Sequence, residues 1–171
     1  MKWTKWLVVV LALCLPSVVG AFEVVPSIYG NNQFLKVWCG FGNPDGGLIG
    51  PYGTWNDQDP KHLWGGGIRG QIDVSEKARD VLGKAFRVPE QWWESLDAVG
   101  ARVYLAHEVG VSDLAGSTRA DTIPMIGARL FVLNAEWGYK ILDGGRIEGP
   151  DGILDKSGFK WFIGISRPFR F

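Results

Sequence analysis

The sequence predicts an all-β protein, an antiparallel up-and-down β-barrel of roughly six to eight strands with a short helical insert at about 75–96. Three observations predict it. Several segments alternate apolar and polar residues with the period-two signature of a strand, and the last of these runs to the end of the chain. Nine Trp and 24 Gly in 171 residues supply aromatics for two interfacial belts and glycines where strands bend or pack closely. Beyond residue 22 no apolar run approaches the roughly 20 residues of a membrane-spanning helix. Any passage through a bilayer would therefore use strands, the other architecture that satisfies every backbone polar group.

The amino terminus reads as a cleaved signal peptide over residues 1–21. Met1 to Lys5 is a basic n-region, Trp6 to Leu15 is apolar, and Val19 and Ala21 occupy the small-residue cleavage positions. The apolar run is about half a membrane span. The rest, 22–171, is expected to be a single barrel domain. Removing Lys2 and Lys5 takes the 18 basic residues to 16 against 18 acidic ones, a net charge of −2. A nucleic-acid partner would want a clustered basic excess, so none is expected. Cys14 leaves with the signal, which leaves Cys39 as the single cysteine and excludes an intramolecular disulfide.

Phe22 to Asn32, interrupted by Pro26 and Gly30, reads as a lead-in. Gln33 to Gly42 is a first strand, Asn43 to Gly47 a turn, and Leu48 to Asn56 a strand interrupted by Gly50, Pro51 and Gly53. After a polar loop, His62 to Val74 sets Trp64, Ile68, Ile72 and Val74 against Arg69, Gln71 and Asp73. Ser75 is placed to cap a helix with Ala78, Val81, Leu82, Ala85 and Phe86 at helical spacing. Pro89 then opens a second short helix, Glu90 to Leu96, presenting Trp92 and Trp93. Packing over the barrel's open end and lying at the membrane interface both fit this insert. Asp97 to Val111 is the clearest strand, with Val103 and Leu105 on one face and Arg102, Tyr104 and Glu108 on the other. Ile123 to Ile141 changes phase near Leu133 and Asn134. A bulge or a tight reversal there would reconcile both halves, and a bulge is the expected cause, because Asn134 lacks the neighbouring glycine that two-residue hairpins favour. In the closing strand Phe159, Trp161, Ile163, Ile165, Phe169 and Phe171 share a face opposite Lys160, Gly164, Ser166 and Arg170.

Two functions from different classes fit this pattern. In the first, Arg69, Asp73, Arg102, Glu108, Arg129, Glu136 and Lys140 pair inside the lumen, while Trp92, Trp93, Val103, Leu105, Leu130, Trp161 and Ile163 face membrane or interface. The lumen of such a small barrel is filled by side chains, leaving a structural or surface-interaction role. In the second, a periplasmic or secreted soluble barrel turns the aromatics inward around a small apolar ligand. Enzymatic activity is not expected: His107 and Glu108 are strand neighbours facing opposite ways, and no serine-containing catalytic motif is present. Two histidines and one cysteine lie far apart without ligand spacing, so neither metal nor cofactor is expected.

The signal, the alternation, the aromatic richness and the terminal Phe together resemble the small bacterial outer-membrane β-barrels, the eight-stranded type exemplified by the OmpX and OmpA transmembrane domains. That resemblance implies an outer-membrane location, lipid as the surrounding partner, and recognition by the barrel assembly machinery. Ile163, Ile165, Phe169 and Phe171 match the family's C-terminal assembly signal, and Arg167 departs from it.

Overall fold

A computed structural model describes residues 22–31, 34–43, 47–56, 63–114, 117–149 and 152–170. The signal segment, His62 and Phe171 lie outside the described residues, as do most of the turn at 43–47 and the polar loop after Asn56. Eight antiparallel strands form the wall: β1 (Glu23–Gly30), β2 (Phe34–Gly42), β3 (Gly47–Asn56), β4 (Leu63–Asp73), β5 (Arg102–Leu114), β6 (Ser117–Leu130), β7 (Leu133–Leu142) and β10 (Gly158–Ser166). Each pairs with its sequence neighbour, β10 pairs with β7, and β10 returns to β1 and closes the sheet. Between β7 and β10 the chain makes a small hairpin of β8 (Arg146–Gly149) and β9 (Gly152–Lys156). The helices α1 (Ser75–Phe86) and α2 (Glu90–Ala98) join β4 to β5.

The polarity of the wall is inverted relative to a water-soluble barrel. Because side chains alternate across a strand, each strand sends one set inward and one outward. Arg69, Glu108, Glu136 and Lys36 are fully buried inside, whereas Ile68, Val109, Trp137 and Ile163 on the same strands or their neighbours are more than half exposed outside. Interior aromatics need room. Tyr104 lies opposite Gly127 and Tyr29 opposite Gly164, and a Cβ on either glycine would run into the facing ring. These glycines are thus the sockets that let two buried tyrosines lie flat against the next strand.

Four sequence expectations are corrected. The lead-in before Asn32 is strand β1. Its Pro26 offers no N–H, and it is tolerated because the closing ladder is broken beside it. That ladder pairs Ser27–Gly30 with β10, skips Val25–Pro26 and Arg167–Pro168 apart from the Arg167 N–H to Pro26 O bond (3.2 Å), and resumes in the same register where Glu23 and Val24 meet the short β11 (Phe169–Arg170). The phase change near Leu133 is a tight reversal, not a bulge. Leu130 pairs with Leu133, and Phe131 takes the left-handed conformation (φ 55°) that glycine usually supplies. Ser75 does not cap α1: its N–H donates to Asp73 Oδ1 (2.7 Å), and its Oγ accepts the Val103 N–H (2.9 Å), tying the helix start to β5. Finally, α2 runs on to Ala98 and β5 begins only at Arg102, after a turn through Gly100 (φ 65°).

Candidate functional site: the charged lumen and the helical groove

Among the described residues the lumen holds two ionic clusters, each of two cations and two anions. In the central one, Lys36 Nζ donates to Glu108 Oε1 (2.7 Å) and Glu136 Oε2 (3.1 Å). Arg69 Nη1 donates to the same two oxygens at 3.0 Å each, and its Nη2 reaches Gln71 Oε1 at 2.9 Å. Tyr104 Oη adds a hydrogen bond to Glu136 Oε1 (2.8 Å). All four charged side chains have no exposed surface. Aromatic faces enclose the cations: Trp38 sits 4.5 Å from the Arg69 guanidinium, and Phe162 sits 4.1 Å from Lys36 Nζ. The members come from β2, β4, β5 and β7: Arg69 and Glu108 are partners across the β4–β5 ladder, and the cluster ties that pair to β2 and β7, which share no ladder with it.

The second cluster lies nearer the mouth that carries the β8–β9 hairpin. Lys140 Nζ donates to Asp121 Oδ2 (2.8 Å), Asp155 Oδ2 (2.6 Å) and Ser112 Oγ (2.8 Å), and Lys160 Nζ donates to Asp155 Oδ1 (2.9 Å). Asp155 belongs to β9, and with Ile147 of β8 it is buried, so the hairpin closes over this mouth. Burial would raise the Asp155 carboxyl, but Lys140 and Lys160 outweigh it and hold that carboxyl below its ordinary range. A cavity of ≈ 20 Å³ between the clusters, lined by Glu108, Tyr52, Asp121 and Lys140, has room for about one water.

Of the residues named from sequence, Arg69, Glu108, Glu136 and Lys140 come together in the lumen. Asp73 and Arg102 sit instead at the rim where β1 starts and β10 ends. There Arg102 Nη1 donates to Asp97 Oδ1 of α2 (3.0 Å), and its Nε lies 3.8 Å from Asp73 Oδ2. Arg129 pairs with Arg102 across the β5–β6 ladder and has no carboxylate within salt-bridge distance among the described residues. Sequence reasoning missed Lys36, Tyr104, Asp121, Asp155 and Lys160. Lys36 had a signal: a lone cation between Phe34 and Trp38 on one strand face. Asp155, in the closing hairpin, had none.

On the outer wall Leu105, Leu130, Trp161 and Ile163 are exposed, and Val103 is half-covered. Trp92 is exposed on α2, and Trp93 turns toward α1, with the Arg79 guanidinium 5.9 Å from its ring. Ile163 and Ile165 point outward from β10, and Phe169 continues along β1. His107 also faces outward, its Nε2 2.6 Å from Thr122 Oγ1, with Glu108 on the opposite face. Neither helix buries a residue. Between them and the wall runs an apolar groove of ≈ 470 Å³, lined by Leu82, Leu96, Val103, Leu130 and Ile163 among others.

No family model matches the sequence, and no curated protein matches it. A solved chain described as "De novo design of transmembrane beta-barrels" is similar in structure, at 9% identity over 92% of this chain and 100% of that one, with a TM-score of 0.37. A likeness that distant carries no weight beside the chain's own geometry, which is that of a closed eight-stranded antiparallel β-barrel.

Proposed function

We propose that this protein is a transmembrane β-barrel of the bacterial outer membrane with a closed, side-chain-filled lumen, serving a structural or surface-interaction role. The observation that carries the reading is the inverted polarity of the wall: ion pairs without exposed surface inside, and large apolar side chains exposed on strand after strand outside. In water that outer face would be a contiguous apolar patch far beyond what monomers expose; in lipid it is the required surface. Wall strands of 8 to 14 residues suit a tilted crossing of the hydrocarbon layer, for which about 9–11 suffice. The soluble reading, with an apolar ligand inside, has no room: the interior is charged and packed with Trp38, Tyr29, Tyr104 and Phe162. The same packing, with Asp155 and its hairpin across one mouth, argues against solute conduction.

Fractionation of cells expressing the full chain tests this. The protein is expected in the outer-membrane fraction, resistant to salt and alkaline carbonate, and silent in planar-bilayer conductance. Release by carbonate alone would overturn the reading. Recognition by the assembly machinery through Ile163, Ile165, Phe169 and Phe171 is part of it. Deleting Phe171 is expected to leave a protease-sensitive periplasmic species; equal recovery of both forms in the outer membrane would remove that element.

A further inference from the structure

The helical insert is held against the barrel by polar contacts at its two ends, not by a packed apolar interface. At one end Val74 N–H bonds to Val103 O (2.9 Å) and Ser75 bonds to Val103. At the other, Asp97 joins Arg79 and Arg102. Between these ties the apolar side chains face each other across open space. Leu82 and Leu96 on the helices are 40% and 41% exposed, and Leu130, Leu133 and Ile163 on the wall are 46%, 56% and 59% exposed. Side chains that line a groove and remain this exposed lack the contact that would hold the helices in place.

We propose that this groove holds one acyl chain of an anionic glycerophospholipid taken from the surrounding leaflet. The proposal rests on the transmembrane reading. Two features select this occupant. First, the groove is continuous with the outward wall that faces lipid in that reading, since Leu130, Leu133 and Ile163 belong to both. A chain can enter sideways without crossing water. Its volume of ≈ 470 Å³ lies within the roughly 300–1,000 Å³ of ordinary small-molecule sites. Second, the charges at its rim leave one cation over. Arg79 is engaged by Asp97 and Glu90, and Arg102 by Asp97 and Asp73, while Arg129 lines the groove with no acidic partner among the described residues. A phosphate at headgroup level supplies the missing anion, in the charge-assisted hydrogen bonding that guanidinium groups favour.

The test uses the full mature chain in nanodiscs of mixed phosphatidylglycerol and phosphatidylcholine, released into native mass spectrometry, with carbonate-resistant insertion into vesicles measured alongside. A one-to-one phosphatidylglycerol adduct is expected. Arg129→Gln is expected to keep an adduct but lose about fivefold in preference for phosphatidylglycerol, the effect of roughly 1 kcal/mol for one cation near an anionic surface. Ala135→Trp, which fills the floor of the groove, is expected to remove the adduct. Leu82→Glu, on a helix outside the barrel wall, is expected to do the same without touching a strand. Insertion without any adduct, an adduct unchanged in both Ala135→Trp and Leu82→Glu, or a dimer of the chain in place of the lipid would overturn the groove proposal and leave the transmembrane reading standing. Failure to insert would overturn both.

Discussion

Two sets of arginine–carboxylate contacts in this molecule use the same chemistry in opposite settings. Arg69 meets Glu108 and Glu136 with every side chain at 0% exposure, whereas Arg79 and Arg102 meet Asp97 at the rim with side chains 34–43% exposed. At the rim, water competes for each partner and salt screens the attraction, so the contact orients α2 and adds little stability. In the lumen little can replace a lost partner, since the ≈ 20 Å³ cavity beside Glu108 has room for about one water. Each charge there is committed to the others, and the cluster acts as one unit across four strands.

The largest expected effect breaks that unit. Arg69→Leu strands Glu136 and Glu108 with Lys36 alone and is expected to cost about 3–5 kcal/mol in denaturant unfolding from micelles or vesicles. A variant in which Lys36, Arg69, Glu108 and Glu136 are all replaced by apolar residues of similar size is expected to lose less than Arg69→Leu does, because no charge is left unpaired. If the fourfold variant loses more, the cluster is a net source of stability and not a mutual obligation. Next in size is Ile68→Arg, at mid-strand on the outer face, expected to cost about 2–4 kcal/mol in a bilayer. In a barrel surrounded by water the same change stays within roughly 0.5 kcal/mol.

Asp155→Asn is expected to cost about 1–3 kcal/mol by leaving Lys140 and Lys160 short of an acceptor, read as faster amide exchange in β8 and β9 while the wall strands stay protected. Acid offers the same test without mutation. The Asp155 carboxyl is lowered in the folded protein, so its contribution is fully present above the ordinary carboxylate value near ~3.9 and is lost as pH falls through the lowered one. The hairpin is therefore expected to stay closed at pH ~4 and to open only in stronger acid. The smallest effect is at the rim. Asp97→Asn is expected to leave the unfolding midpoint of the barrel unchanged and to loosen only α1 and α2, seen as quicker proteolysis of the insert.

Where inward and outward residues differ sharply in polarity, the strands were legible in the sequence. β4 sets Ile68 and Ile72 against Arg69 and Gln71, β5 sets Leu105 and Val109 against Glu108, and β10 repeats the pattern. β1 was not legible, because Val24, Val25, Ile28 and Tyr29 present apolar side chains to both faces and Pro26 reads as a breaker. The β6–β7 reversal was hidden because Phe131 occupies a position where the turn rules look for glycine. Within the lumen, parity alone located Arg69, Glu108, Glu136 and Lys140. It misassigned Arg102 and Asp73, which share the inward phase but sit where the wall ends and α2 offers Asp97. Alternation specifies which way a side chain points and says nothing of how deep along the barrel it lies.

The interrupted ladder between β1 and β10 bears on how chains meet before they close. A barrel still open along this line presents two bare strand edges, each a template for another molecule's edge. Pro26 has no N–H to give, so its pair with Arg167 keeps one hydrogen bond, from Arg167 N–H to Pro26 O (3.2 Å), and lacks the other. An unrelated strand adding to the β1 edge would meet a missing donor there, which the β10 edge accommodates in an unbroken register. The missing donor thus makes the β1 edge a poorer template for a foreign strand without preventing its closure on β10.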